Sequence, residues 1–515
     1  MTTTPIARQR VDADRHVPGL ARQWAWFFGL AVVGVGIAVG MPILVVALLV
    51  VMLLVAVFYL SPGDATTVLS LAVASMFIIP QRYVFKPLGA AGTPALLLGV
   101  AALLWWLVSR MNGTSLGAGY NPVRIGVGIV MFAMLVAYAA GFTRPLVPLE
   151  GRNADRTLIT WFGYAGLLLL STDGVTSLKR LDVLLRRMVW GGAYMSFVAL
   201  TQFFSKNRLD LAKLVHPPGL AFNAPTALTA ASTFTRGGFY RVAGTAEHPI
   251  EFSVVAAALL PLAVHYAFAD TDRSVLARWA PVGLMGFAMP LSLSRSGFLG
   301  LGLAGICFLP AIPAARRLQL AAIGIVTVAM MTAVVHGLLG TVLSFVLKAS
   351  KDNSITARTG RYTEINLYFT QRPIFGRGFG TFVPSLYDFM DNQYFLTVLE
   401  AGLVGLIAIL LFFFSGLATA RVIRKRCVDP RARSLSQALF AGVIVHVATF
   451  ATYDALVFPT TGMTLFLTIG AVGALWRLTR QEQLLHLAPL GAFRPWTVAP
   501  RPTGRRRARS STEPR

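Results

Sequence analysis

Acidic residues are scarce in this chain: 21 Asp and Glu stand against 46 Lys and Arg in 515 residues, a formal net charge of +25. Charged residues of both signs reach only 13%, about half the share usual in a soluble domain. That shortage excludes an ordinary soluble fold. Cysteine is nearly missing. Cys307 falls in an apolar run and Cys427 in a basic loop, so neither a disulfide framework nor a metal spacing is present. The chain has no P-loop, no H-E-x-x-H and no G-x-S-x-G nucleophile elbow, which removes the usual sequence signs of nucleotide, zinc-protease and serine-hydrolase chemistry. The acid pairs Asp12/Asp14 and Asp270/Asp272 have the spacing of a nucleotide-sugar metal motif, but each stands in a short segment without further ligands. No metal and no cofactor is called for.

What is abundant is apolar sequence, 55% of the chain. Apolar runs fall near 24–40, 42–60, 65–80, 94–109, 123–141, 157–171, 184–204, 249–268, 277–293, 296–312, 318–338, 395–420, 436–457 and 460–478. Crossing a bilayer takes roughly 20 residues, and in lipid only a helix satisfies the backbone of an isolated segment. The expected fold is all-α, a polytopic transmembrane bundle of about twelve to fourteen helices. The run at 65–80 is the weakest and reads equally as a re-entrant piece.

Basic residues collect on the cytoplasmic side of membrane proteins, near anionic headgroups. This accounts for the arginine excess without nucleic acid. Residues 1–22 form a basic N-terminal tail with no cleavage site after the first apolar run, so the first helix is expected to stay as an uncleaved anchor. With that tail inside, the basic loops at 179–187, 316–317 and 421–433 also fall inside, as does the Pro- and Arg-rich tail 479–515, which reads as disordered. The organisation expected is helices over 23–204, a long outer loop 205–248, helices over 249–338, a second outer loop 339–394 and helices over 395–478.

Candidate chemistry gathers on the outer side. Arg295, between two apolar runs in Ser294-Arg295-Ser296, is costly near membrane depth and has no topological excuse there. Arg241 closes the first outer loop, and paired with Arg295 it suits bidentate phosphate binding. Glu247, His248 and Glu251 cluster where Pro249 opens a helix; the acids read first as helix-terminus residues, and His248 as structural or as a proton carrier. Asp391 precedes Asn392, Gln393 and Tyr394 at the outer start of a helix, where an aspartate serves as an N-cap or as a general base for a hydroxyl. The second loop carries Arg358, Arg361, Arg372 and Arg377, with Gly376, Gly378 and Gly380 marking tight turns or close backbone approach.

In order, Arg241-x-x-Gly244, His248-Pro249, Ser294-Arg295-Ser296, Arg358, Pro373-Ile374-Phe375-Gly376-Arg377-Gly378, Asp391-Asn392-x-Tyr394 and Glu400-Ala401-Gly402-Leu403-Val404-Gly405 resemble the shared core of the bacterial O-antigen ligases and Wzy-type O-antigen polymerases. The resemblance covers about 236–405. It implies a glycosyltransferase of the bacterial plasma membrane with both termini cytoplasmic, moving a glycan from a polyprenyl-diphosphate carrier to an acceptor hydroxyl on a glycan or glycolipid, without metal and with inversion. It implies Arg241 and Arg295 as diphosphate ligands and Asp391 as the acceptor-activating residue; His248 is a second catalytic candidate, as a source of imidazole, and Arg358, Arg361 and Tyr394 are the loop candidates. The family position of Asp391 is commonly histidine. An aspartate carboxyl ordinarily titrates at about 4, so a base there calls for burial or a poised geometry. Ligase and polymerase are not separated by these motifs. A transporter of lipid-linked glycans, the rival from another class, calls for broken helices and charge at mid-membrane.

Overall fold

The computed structural model describes residues 65–112, 119–206, 219–222, 235–236, 239–334, 340, 362–387 and 389–487. The two apolar runs before residue 65, Asp12 and Asp14, Arg358 and Arg361, and the basic tail from 488 lie outside the described residues. The described chain is helical: α1 (Ala65–Ile78), α2 (Pro94–Met111), α3 (Pro122–Gly141), α4 (Pro148–Gly174), α5 (Leu178–Phe204), α6 (Pro249–Ala269), α7 (Val275–Ala288), α8 (Arg295–Phe308), α9 (Ala314–Val334), α10 (Tyr362–Gln371), α11 (Gln393–Arg426), α12 (Pro430–Thr449) and α13 (Pro459–Leu487). Each apolar run from residue 65 onward contains a helix, and among the described residues seven helices are long and apolar enough to cross a membrane. The fold is the polytopic helical one expected. Strand is limited, among the described residues, to two antiparallel two-residue pairs: β1 (Tyr83–Val84) with β2 (Ala221–Phe222), and β3 (Thr235–Arg236) with β4 (Phe239–Tyr240).

Local sequence explains where helices begin. Pro94, Pro122, Pro148, Pro249 and Pro430 each open a helix, where the missing N–H costs nothing. Asn121, Ser177, His248, Ser274, Ser294 and Asp429 cap helices by accepting a backbone N–H. Small residues then let helices close up: a Cβ at Gly166 of α4 would stand 2.0 Å from the Gly99 carbonyl of α2. The core sits around α6 and α13, whose membrane windows are 83% and 89% buried, whereas α9 at 6% is peripheral.

Three boundaries differ from the hydropathy reading. The 65–80 run is a single short helix, α1, largely buried. The 277–293 run leaves the α-helix at Ala288 and continues as a 3-10 turn, Met289–Ser292. The 436–457 run stops being helical at Thr449, and residues 450–458 form a turn. Asp270, half of one suspected metal pair, is held by Arg186 at 2.5 and 2.7 Å and by Arg431 at 3.0 Å, while Asp272 is exposed. Its carboxylate ties α5 and α12 to the end of α6.

Candidate functional site

Two of the motif pieces, Pro373–Gly378 in the second long loop and Glu400–Gly405 in α11, turn out to be partners. α11 is broken at Gly402, which has φ 64° and ψ −163°. The break leaves backbone groups that an α-helix would pair internally, and the loop Pro373–Gly378 takes them. Leu399 and Glu400 carbonyls accept from the Arg377 and Gly378 amides at 2.8 and 3.0 Å. The Leu403 and Val404 amides donate to the Pro373 and Ile374 carbonyls at 2.9 and 3.2 Å. A Cβ at Gly402 would lie 2.2 Å from the Ile374 carbonyl oxygen, so the clasp requires glycine there. The break is filled by protein backbone.

The clasp delivers the chain to Asp391. Asp391 holds φ 49°, a conformation few non-glycine residues adopt. Its amide and that of Asn392 donate to the Asp454 carboxylate at 3.3 and 3.0 Å. The cap of α11 is Asn392, whose Oδ1 accepts from the Tyr394 and Phe395 amides. The capping role offered for Asp391 therefore belongs to its neighbour. Gln393 is bolted to the 450–458 turn: its amide donates to the Phe450 carbonyl at 2.8 Å, and its Oε1 accepts from the Leu456 amide at 2.7 Å. No described residue hydrogen-bonds the Asp391 carboxylate. That residue lines a cavity of about 340 Å³ shared with His248, Glu400, Asp454, Arg156 and Trp161, at the small end of ligand pockets.

His248 caps α6 with Nδ1, which accepts the Ile250 amide at 3.1 Å. A neutral ring in that role carries its hydrogen on Nε2. Burial, and after it the cations of Arg241 and Arg82, hold the imidazole down to about 3. With Nδ1 taken by the Ile250 amide, the ring presents Nε2 as a hydrogen-bond donor. Arg241 is buried and donates through Nε to the Ser292 carbonyl at 2.9 Å. Ser292 belongs to the 3-10 turn that runs through Leu293 at φ 49° and the cap Ser294 into Arg295, the first residue of α8. Ser296, next in line, accepts from Thr452 at 2.7 Å, two positions before Asp454. Neither Arg241 nor Arg295 lines the cavity itself; both stand on the side of it marked by His248 and the 450–458 turn.

Residues 280–410 match the O-antigen ligase family. The resemblance drawn from sequence holds over that segment, from α7 to the middle of α11. It takes in Arg295, the clasp, Asp391 and Tyr394, and leaves Arg241 and His248 outside. No curated protein matches the chain.

Within this O-antigen ligase segment, the remaining loop candidates divide. The Tyr394 hydroxyl donates to the Val447 carbonyl at 2.6 Å and braces α11 on α12; it does not line the cavity. Arg372 holds Thr143 at 2.9 Å. Arg377 donates to the Tyr387 hydroxyl at 2.8 Å, and Tyr387 in turn to Glu150 at 2.7 Å. Burial would push the Glu150 carboxyl up, but hydrogen bonds from Arg144, Tyr387 and the Val147 amide outweigh it and hold the group at about 2. This latch fastens the loop after the clasp to the α3–α4 turn.

Four residues near the site escaped the sequence reading. Asp454 was hidden inside an apolar run whose average masked a single acid. Glu400 was quoted as a motif residue but not as a carboxylate; its Oε1 accepts the Phe382 amide at 3.2 Å. Arg82, which donates to the Glu247 carbonyl at 2.9 Å, sits on the outer side of the expected topology, and the rule that flagged Arg295 flags it too. Arg156 lines the cavity from the polar first turns of α4. Glu251 is fully buried, with its oxygens on the Glu247 and Thr460 amides at 2.8 Å each, in keeping with a structural acid at a helix start.

Proposed function

We propose that this chain is a glycosyltransferase that takes a glycan from a polyprenyl-diphosphate carrier and joins it to a hydroxyl of a glycan or glycolipid acceptor. One observation supports it most: a strained aspartate, Asp391, presents a carboxylate with no described hydrogen-bond partner to a ligand-sized cavity, inside a segment that matches the O-antigen ligases. Asp391 takes the proton of the acceptor hydroxyl as its oxygen bonds to the anomeric carbon. The bond from that carbon to the diphosphate breaks, and its electron pair leaves on the diphosphate oxygen. Attack from the face opposite the leaving group inverts the centre. Arg241 and Arg295 offset the charge that grows on the diphosphate, the service a metal ion gives elsewhere. The Nε2–H of His248 donates to an oxygen of the bound donor.

The orientation follows from charge. The end opposite the site carries Lys179, Arg180, Arg187, Arg316, Arg317 and Lys425, and the positive-inside rule sets it in the cytoplasm. The site then faces outward from a bacterial plasma membrane, where the carrier's lipid tail stays in the bilayer.

The test uses purified full-length protein, a polyprenyl-diphosphate glycan and a panel of acceptors in the presence of chelator, with carrier release as the readout. Release that depends on acceptor is the expected result. Absence of release with every acceptor, or a strict metal requirement, overturns the assignment. A cysteine introduced near residue 360 is expected to react with an impermeant reagent in intact cells; protection there reverses the orientation.

A further inference from the structure

The cavity beside Asp391 holds one cation among its described lining residues, Arg156. Arg152, one turn earlier on α4, donates only to a backbone carbonyl, that of Pro148 at 3.3 Å, and does not line the cavity. Arg144 is paired with Glu150 at 2.9 Å, and Arg377 and Arg372 are bonded to Tyr387 and Thr143. Arg156 has one hydrogen bond, from Nη2 to the Pro87 carbonyl at 3.3 Å, and no described carboxylate partner. Its neighbour in sequence, Asp155, is engaged instead by the Tyr138 hydroxyl at 2.6 Å. The guanidinium lies against bare backbone: a Cβ built on Gly89 would stand 3.1 Å from its Cζ and Nη1. Glycine at φ 54° thus leaves the place in which the planar group rests.

The acids around it are already engaged or reserved. Asp454 accepts two backbone amides, and Glu400 accepts the Phe382 amide. Asp391 is the proposed base. A half-buried guanidinium whose Nε and Nη1 donors bond no described residue is matched by two oxygens of one anion, a carboxylate or a phosphate monoester. Trp161, also of α4, lines the cavity as a buried apolar wall, its ring held edge-on by Phe379 and Phe466.

We propose that Arg156 reads an acidic substituent, a carboxylate or phosphate ester, on the saccharide unit that enters this cavity, so that the enzyme favours charged glycan units over neutral ones. The proposal rests on the cavity being the glycan site proposed above. It assigns a specificity role to a residue outside both the matched segment and the arginine pair.

The test is direct binding, which needs no turnover. Full-length protein in neutral detergent is titrated with p-nitrophenyl β-glucuronide, glucose 6-phosphate, p-nitrophenyl β-glucoside and inorganic phosphate, by calorimetry. The wild type is expected to bind the glucuronide or the sugar phosphate about tenfold more tightly than the glucoside, the scale of one charge-assisted fork. Arg156→Gln is expected to lose that preference while glucoside affinity stays within about twofold, and Arg156→Lys to keep part of it. An unchanged melting curve shows that each variant folds. Equal affinity for all three sugars in the wild type overturns the proposal, as does a preference that survives Arg156→Gln. Inorganic phosphate competing as strongly as the sugar anions also overturns it, since the site would then hold a free anion. Carrier release, read separately, distinguishes the two claims: release without a charge preference defeats this inference alone, and a charge preference without release defeats the transferase assignment alone.

Discussion

Asp270 and Asp391 stand at helix termini on opposite ends of the bundle, and their surroundings differ in kind. Asp270 accepts from Arg186 and Arg431, and beside it Asp182 accepts from Tyr266 at 2.9 Å and Arg431 at 3.0 Å. Asp173, at the same end, is held by Arg124 at 2.8 Å and Trp106 at 2.9 Å. Each of these carboxylates is closed by side chains from other helices: Asp173 ties α4 to α2 and α3, while Asp182 and Asp270 tie α5, α6 and α12. At the site end, Asp454, Glu400 and Glu251 are closed largely by backbone amides. Amide donors fix where a loop runs rather than which helices touch. The loop so fixed carries Asp391, whose carboxylate is left open. Closed acids tie helices together at one end; at the other, Asp454 fixes the backbone that carries the open carboxylate of Asp391.

That contrast can be broken by four measurements. Asp391→Asn is expected to cut carrier release by about 100- to 10,000-fold, the range of general-base catalysis, with no change in melting temperature; turnover within tenfold of wild type would mean the open carboxylate is not the base. Gly402→Ala places a Cβ on the Ile374 carbonyl at a positive φ, and is expected to cost about 3 kcal/mol in thermal stability together with most of the activity. A stable, active variant would show that the clasp does not hold the loop. Asp270→Asn is expected to cost about 2 kcal/mol, less than a fully buried pair because Arg431 is partly exposed, with carrier release per folded molecule unchanged. Lost turnover there would merge the two ends into one functional unit.

The fourth measurement, seen only as a pH dependence, concerns His248. Its folded value is depressed to about 3, below the ordinary histidine value of about 6.5. The unfolded chain therefore takes up a proton that the folded ring refuses, so this stability is fully present above pH 6.5 and declines as pH falls toward 3. The slope is about 1.4 kcal/mol per pH unit. Denaturation curves of His248→Gln between pH 7.5 and 5 are expected to lack that component; an identical slope in the variant would mean the ring takes up its proton in the fold.

Much of the fold was legible because bilayer thickness and backbone satisfaction leave few options. Long apolar runs became helices, and Pro249 opened one as expected. Less of the site was legible, for particular reasons. Asp391 and Asn392 are both preferred cap residues, and only geometry tells which accepts the amides. The Pro373–Gly378 and Glu400–Gly405 pieces were visible as motifs, but their pairing is tertiary and leaves no periodic trace. Asp454 was averaged away by its apolar neighbours. Arg82 was recoverable from the topology already in hand. The tautomer of His248 is written in a single backbone contact that no pattern encodes.

The clasp at Gly402 also bears on how this region opens. Its four backbone hydrogen bonds join a loop to a helix, so neither set of amides exchanges with solvent on its own terms. The Arg377 and Gly378 amides, formally in a loop, should exchange as slowly as Leu403 and Val404 within α11. Amides of one cooperative unit share one opening free energy. A deuterium trace would then report the loop and the upper part of α11 as a single foldon, with Asp391 riding on it.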